Sequence, residues 1–417
     1  MPERPFPRSW EKYVSLPVLG SVVSDFAAWL HESGFARTSI RSHLRATKAI
    51  DRDLRRTGVR GTASITRQAL EECSRRNSDA PGVRATIRSL GRFLSERGTV
   101  EDPQQVCNLE DAIVSDYVAY LTDVRGLVPA TATGHRATVL RFFAGLGGND
   151  LAFRLSTLSP YDIETFVRAA GQHYGRDTLS HVVANFRCFL RFLAMRGLAP
   201  SGLDDHVDSP RTYRRARLPR ALPWETVRAL LQSINQGSAL GLRDYTMLLL
   251  IATYGFRCCE IAALTLNDLD WRHRRIRVAQ RKTGSVTFLP LTNEVGAVLE
   301  RYLRQSRPTS ARREVFLRMR APSGALKSTA ISDAFDRWAR RSGLGIPYEG
   351  AHCLRHSYAV NLLRRGTPLK TIGDILGHRL AESTCMYLGL ALEDLREVAL
   401  PVPGSASKAT EVGHASH

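Results

Sequence analysis

The chain has 417 residues, 43% of them hydrophobic, enough for two or three domains of about 150 residues each. Its 59 basic and 40 acidic residues leave a net charge of +19, which favours a polyanionic partner because each neutralised phosphate releases counterions. The longest apolar run, Met247 to Ala252, is far short of the ~20 residues of a membrane helix, and the start, Met-Pro-Glu-Arg-Pro-Phe-Pro, lacks an apolar signal region, so no membrane and a cytoplasmic location are expected.

The N-terminal half has helical periodicity and repeats. Val23-Ser-Asp25-Phe-Ala-Ala-Trp29-Leu30 matches Val114-Ser-Asp116-Tyr-Val-Ala-Tyr120-Leu121, and Arg92-Phe-Leu-Ser-Glu-Arg-Gly98 matches Arg191-Phe-Leu-Ala-Met-Arg-Gly197. The offsets, 91 and 99 residues, align two units of four amphipathic helices, predicted near 22–33, 37–57, 64–76 and 82–97, then near 112–125, 130–146, 160–172 and 177–196. Gly34, Gly58, Gly98, Gly126 and Gly197 stand where these helices should stop. We expect one helical module over 1–105 and a second over 106–199. A basic linker over 200–223 carries Arg211, Arg214, Arg215, Arg217 and Arg220, which suit a phosphate backbone.

From Trp224 onward the pattern changes. Helices are predicted at 224–235 and 241–254, a hairpin over 276–280 and 286–290 turning near Lys282-Thr-Gly284, then helices near 293–305, 328–341, 355–365, 368–376 and 382–390. The tail, 401–417, is small and polar and reads as disordered. The seven cysteines fit no zinc spacing and read as reduced thiols.

Six polar residues in this last part fall in a fixed order: Arg257, Lys282, His352, Arg355, His378 and Tyr387. Splitting a phosphodiester with a side chain requires a nucleophile, cations on the pentavalent transition state and a proton for the leaving oxygen. Arginine suits the second need through its planar, permanently charged fork. Lys282, on a hairpin turn, can reach a leaving 5′-oxygen. His352 and His356 share a helix face, with Cys353 where a zinc helix would place Glu, so no metal is expected. His378 follows Gly377 just past a predicted helix end.

These contexts, Gly255-Phe-Arg257-Cys-Cys-Glu260, the hairpin Lys282, His352-Cys-Leu-Arg355-His356, Leu376-Gly-His378, and Tyr387 nine residues later, closely resemble the tyrosine recombinase (integrase) family. The resemblance implies a mainly α-helical chain with a small β-hairpin or sheet in a catalytic domain over 224–400, forming a C-shaped DNA clamp with tandem helical modules: 106–199 would be the family's core-binding domain, and the extra module over 1–105, read as DNA-binding, could bind further DNA, contact another subunit or brace the clamp. Arg257, Arg355 and His378 would bind the scissile phosphate, Lys282 would protonate the leaving 5′-hydroxyl, and His352 would deprotonate or position Tyr387. Tyr387 would form a 3′-phosphotyrosyl link, with neither cofactor nor ATP. Glu260 and His356 would support the site.

The implied partners are double-stranded DNA, three further copies in a homo-tetramer on paired sites, exchanging a segment such as Leu390 to Leu400, and possible partner recombinases. The cytoplasmic location would be nucleoid-associated. The long N-terminal half favours integration, excision or transposition of a mobile element. Dimer resolution of chromosomes or plasmids stays open, as do a type IB topoisomerase, a telomere resolvase and a non-catalytic accessory subunit.

Overall fold

The computed structural model describes residues 10–99, 108–147, 150–211, 219–279, 286–378 and 380–390. These divide into two compact units, mostly helical, with one small sheet in the second.

The first unit begins with α1 (Glu11–Val14), α2 (Gly20–Glu32), α3 (Arg37–Arg56), α4 (Arg67–Arg76) and α5 (Pro81–Glu96). It continues with α6 (Leu109–Ala119), extended by a π turn over Tyr120–Val124, then α7 (Pro129–Leu146), α8 (Leu151–Ser156), α9 (Pro160–His173) and α10 (Arg176–Met195). Thr66 caps α4 by accepting from the Ala69 amide at 3.1 Å, and Ser159 and Asp162 cap each other's backbone at the start of α9. The predicted glycine stops all have positive φ.

The sequence repeat is a repeat in space. In the first four-helix set α3 packs on α5; in the second α7 packs on α10. Arg97 bonds Asp25 at 2.6 Å, and Arg196 bonds Asp116 through two nitrogens at 2.8 and 2.9 Å. Arg97 lies over the Phe93 ring and Arg196 over Phe192. Asp51, buried in α3, accepts from the amides of Val18 and Leu19 at 2.9 Å each, which anchors the entry to α2. The predicted linker starts as packed structure: Leu203 and Val207 are buried in the core under α9 and α10. Residues 212–218, with Arg214, Arg215 and Arg217, lie outside the described residues, as do Lys282, His417 and the rest of 391–417.

The second unit contains α11 (Trp224–Ser233), α12 (Ala239–Tyr254), α13 (Cys258–Ala263), β1 (Leu269–Asp270), β2 (Arg275–Ala279), β3 (Val286–Pro290), α14 (Asn293–Gln305) and α15 (Thr329–Ser342). It ends with α16 (His352–Arg364), α17 (Leu369–Leu376), α18 (Glu382–Cys385) and a 3₁₀ turn over Met386–Leu390. The antiparallel sheet has order β1-β2-β3, with Arg277 opposite Phe288.

Helix α12 is apolar nearly all round, so it is the central helix, packed on α14, α15 and α16. Its one buried acid, Asp244, accepts from Arg243 at 2.7 and 3.0 Å, Arg337 at 2.8 Å and the Trp338 indole at 3.1 Å, which ties α12 to α15.

Candidate active site

The site is built where three chain segments meet: the corner after α12, the start of α16, and the α17–α18 connection. Gly255 ends α12 in the left-handed region, φ +67°, and its carbonyl turns toward α16. Two residues on, Arg257 caps α13. Its amide donates to Glu260 at 2.8 Å and its guanidinium to the same carboxylate at 2.7 Å, and Glu260 is buried. A second nitrogen of Arg257 donates to the Gly377 carbonyl at 3.3 Å.

Arg355, on the first turn of α16, is buried and donates to the carbonyls of Gly255 and Leu376, the latter at 2.6 Å. Two arginines 98 positions apart are thus held by successive carbonyls, Leu376 and Gly377, at the end of α17. Helix C-termini present uncompensated carbonyls with negative potential, which offsets crowding two cations together. The crowding is still felt: burial, then the nearby Arg257, brings the Arg355 pKa down to about 10.

Gly377, left-handed at φ +62°, stops α17 and delivers His378. The His378 ring bonds the Thr384 hydroxyl at 2.8 Å and stacks nearly parallel to the Tyr387 ring, 16° apart, with centroids 6.4 Å apart. Burial, helped by Arg355 and Arg257, pushes its pKa down to about 4, so the ring is neutral at pH 7.

Tyr387 is 1% exposed, among Ala359, Val360, Ile372 and Leu376. Its hydroxyl lies 3.1 Å from Nδ1 of His356. Burial raises its pKa while Arg355 and Arg257 oppose the rise. His356 in turn meets His352 edge to face at 4.5 Å, and burial, then His352 and Arg355, lowers its pKa to about 4. Arg220, from the described end of the predicted linker, adds to that effect, and the neighbouring Leu222 amide bonds Ser357 on α16 at 2.7 Å.

Of the sequence-predicted residues, the fold brings Arg257, Arg355, His352, His378 and Tyr387 into one cluster, together with the supporting Glu260 and His356. Arg220 borders it, Arg211 is an exposed residue of the first unit, and Lys282, Arg214, Arg215 and Arg217 fall outside the described residues. Sequence reading gave the phenol to His352, whereas the hydroxyl is bonded to His356; the four-residue spacing of the two histidines marked both without ranking them. Thr384 was missed, because nothing in a lone threonine six residues after His378 signals the bond they make.

The fold thus gathers two guanidiniums, the imidazoles of His352, His356 and His378, and the Tyr387 phenol in one cluster. Residues 220–393 match the phage integrase family. The integrase/recombinase y4rA of Sinorhizobium fredii is 32% identical over 390 residues, 91% of this chain and 94% of its own. Tyrosine recombinase XerC of Roseiflexus castenholzii is 29% identical over 307 residues, 72% of this chain and 94% of its own.

The fold is shared with a lambda integrase dimer bound to a COC′ core site (TM-score 0.51, 17% identity, 65% of this chain and 95% of that one). It is also shared with the Tn1549 transposon integrase in complex with transposon right end DNA (TM-score 0.51, 17% identity, 69% and 99%). The chain belongs to the phage integrase, or tyrosine recombinase, family, whose enzymes catalyse site-specific DNA strand exchange.

Proposed function

We propose that this recombinase cuts and rejoins double-stranded DNA through Tyr387, in the integration, excision or transposition of a mobile element. The observation that carries the assignment of residues is the pairing of Arg257 and Arg355 on the consecutive carbonyls of Leu376 and Gly377, beside His378 and near Tyr387. Both guanidiniums would bind the non-bridging oxygens of one phosphate, and His378, neutral and oriented by Thr384, would add a hydrogen bond.

The Tyr387 oxygen would attack phosphorus, and the bond from phosphorus to the 5′-oxygen would break. The phenol proton would leave through the histidine pair, and Lys282 would protonate the 5′-oxygen. The product is a 3′-phosphotyrosyl link and a free 5′-hydroxyl. Attack by a 5′-hydroxyl from another strand would reverse the step and return the phenol, so the number of phosphodiester bonds is conserved.

At 1% exposure Tyr387 has to leave its place against His356 to reach DNA. His356, neutral at pH 7, would accept the phenol's hydrogen bond and position it before that movement. Assembly of four copies on two sites, with or without partner recombinases, would supply the second strand. The reading is tested with a nicked suicide duplex bearing the ends of the DNA segment that encodes the chain. Wild-type protein should give a protease-sensitive DNA adduct that Tyr387→Phe does not form while still binding; an adduct of equal yield from Tyr387→Phe would refute it.

A further inference from the structure

Four buried threonines of this protein share one habit. The hydroxyls of Thr47, Thr86, Thr138 and Thr246 donate to carbonyls one helical turn back, those of Leu44, Gly82, Gly134 and Leu242, at 2.6 to 3.2 Å. Thr384, 2% exposed in α18, breaks the habit. Among the described residues its hydroxyl has one partner, Nδ1 of His378 at 2.8 Å.

Gly373 of α17 makes room for this bond. Its carbonyl accepts the His378 amide at 2.9 Å, and a Cβ on it would stand 3.0 Å from the Thr384 hydroxyl oxygen. A hydroxyl hydrogen buried this deeply has to find an acceptor, because leaving it unpaired forfeits its bond to water. Nδ1 is the acceptor within reach. It therefore keeps its lone pair, and the proton of the neutral ring is on Nε2. The contrast is His43, whose Nδ1 lies 2.9 Å from the Thr86 hydroxyl. Thr86 already directs its hydrogen to Gly82, so that hydroxyl accepts from the ring. On His378, Nε2 carries no hydrogen bond among the described residues, and the charges of Arg355 and Arg257 are close enough to lower the pKa of the ring.

We infer that Thr384 is a positioning residue of the strand-cutting reaction: its hydroxyl fixes His378 in the Nε2–H form and holds the ring so that Nε2 donates to the scissile phosphate. The inference rests on the role proposed above for His378. The opposite tautomer would turn a lone pair toward the phosphate oxygens, where a donor is needed. Thr384 stands about one helical turn before Tyr387, so the segment that carries the nucleophile also sets the phosphate donor.

Two measurements on the full chain test this. The first reads the ring directly, in a proton–nitrogen correlation spectrum of protein carrying isotope-labelled histidine; the His378 signal is the one that His378→Ala lacks. Nε2 should carry the proton. A proton on Nδ1 overturns the inference, whether or not any Thr384 variant folds.

The second is single-turnover cleavage of the nicked suicide duplex. Thr384→Val keeps the branched shape and loses the hydroxyl. It should cut about tenfold more slowly, short of the about 10² to 10³ that follows loss of a donor outright, with duplex affinity unchanged. Thr384→Ser should return the rate to near that of the wild type. In a His378→Ala background Thr384→Val should slow cleavage no further, because its effect passes through the ring. A wild-type rate in folded Thr384→Val, or an equal slowing in both backgrounds, overturns the positioning role and leaves the cutting role intact. A His378→Ala protein that cuts as fast as wild type removes the proposed role of His378, and the inference with it. No adduct from the wild-type protein refutes the cutting role itself.

Discussion

Arg257 and Arg355 hang from adjacent carbonyls: Arg257 donates to Gly377 and Arg355 to Leu376, so the end of α17 sets the spacing of the two guanidiniums before any substrate arrives. Preorganised donors of this kind stabilise a transition state without reorganisation during the reaction. Arg355→Lys keeps a charge but cannot reach both Gly255 and Leu376 with one ammonium. We expect strand cleavage to fall by about 10² to 10³ while duplex affinity changes by less than about tenfold, as measured by single-turnover cleavage and anisotropy.

Gly255 is the second anchor of Arg355. A Cβ there would stand 2.6 Å from Leu376 Cδ2 and 2.8 Å from a ring carbon of Tyr358, at a φ of +67° that side chains rarely adopt. Gly255→Ala should lose about 1 to 3 kcal/mol of stability from strain and displace the carbonyl that Arg355 uses. Chemical denaturation should show the loss, and cleavage should drop with it.

Asp244 tests the core of the second unit. It is fully buried and serves Arg243, Arg337 and Trp338 at once. Asp244→Ala leaves two arginines without their buried counter-charge and should cost about 3 to 5 kcal/mol, a loss visible in thermal unfolding.

The two histidines of the site give a pH dependence with a definite sign. His356 and His378 are pushed by burial to about 4, below the ordinary 6.5. The unfolded chain therefore binds protons that the folded chain refuses between pH 6.5 and 4. The stability they contribute is present in full above pH 6.5 and disappears as pH falls toward 4. We expect the Tm to decline across that window, and less steeply in His356→Gln, whose amide can still meet the Tyr387 hydroxyl but does not titrate. An equal slope in both proteins would remove His356 from the account.

Much of this was legible in the sequence, for identifiable reasons. The eight helices of the repeat showed because each buries one face, so their periodicity survives in the residue pattern, and the glycine stops fixed their ends to within a few residues. The Asp25–Arg97 and Asp116–Arg196 pairs lie inside the very segments that matched. Short elements were missed: α13 is six residues around Cys258-Cys259-Glu260, too short for periodicity, and β1 has two residues. Within the site, residue types and order were readable, but side-chain partners were not. Which histidine meets Tyr387 depends on how the turn over Met386–Leu390 lies against α16, and backbone carbonyls such as Leu376 have no residue signature at all.

In the proposed reaction Tyr387 itself becomes bonded to DNA. The most direct measurement is mass spectrometry of the trapped adduct after nuclease and trypsin digestion. Sequence places Tyr387 in the tryptic peptide from Leu380 to Arg396, which also contains Ser383 and Thr384. The residual nucleotide should be on Tyr387, linked through its 3′-phosphate. A nucleotide on Ser383, on Thr384 or on any other peptide, or one linked through a 5′-phosphate, would contradict it.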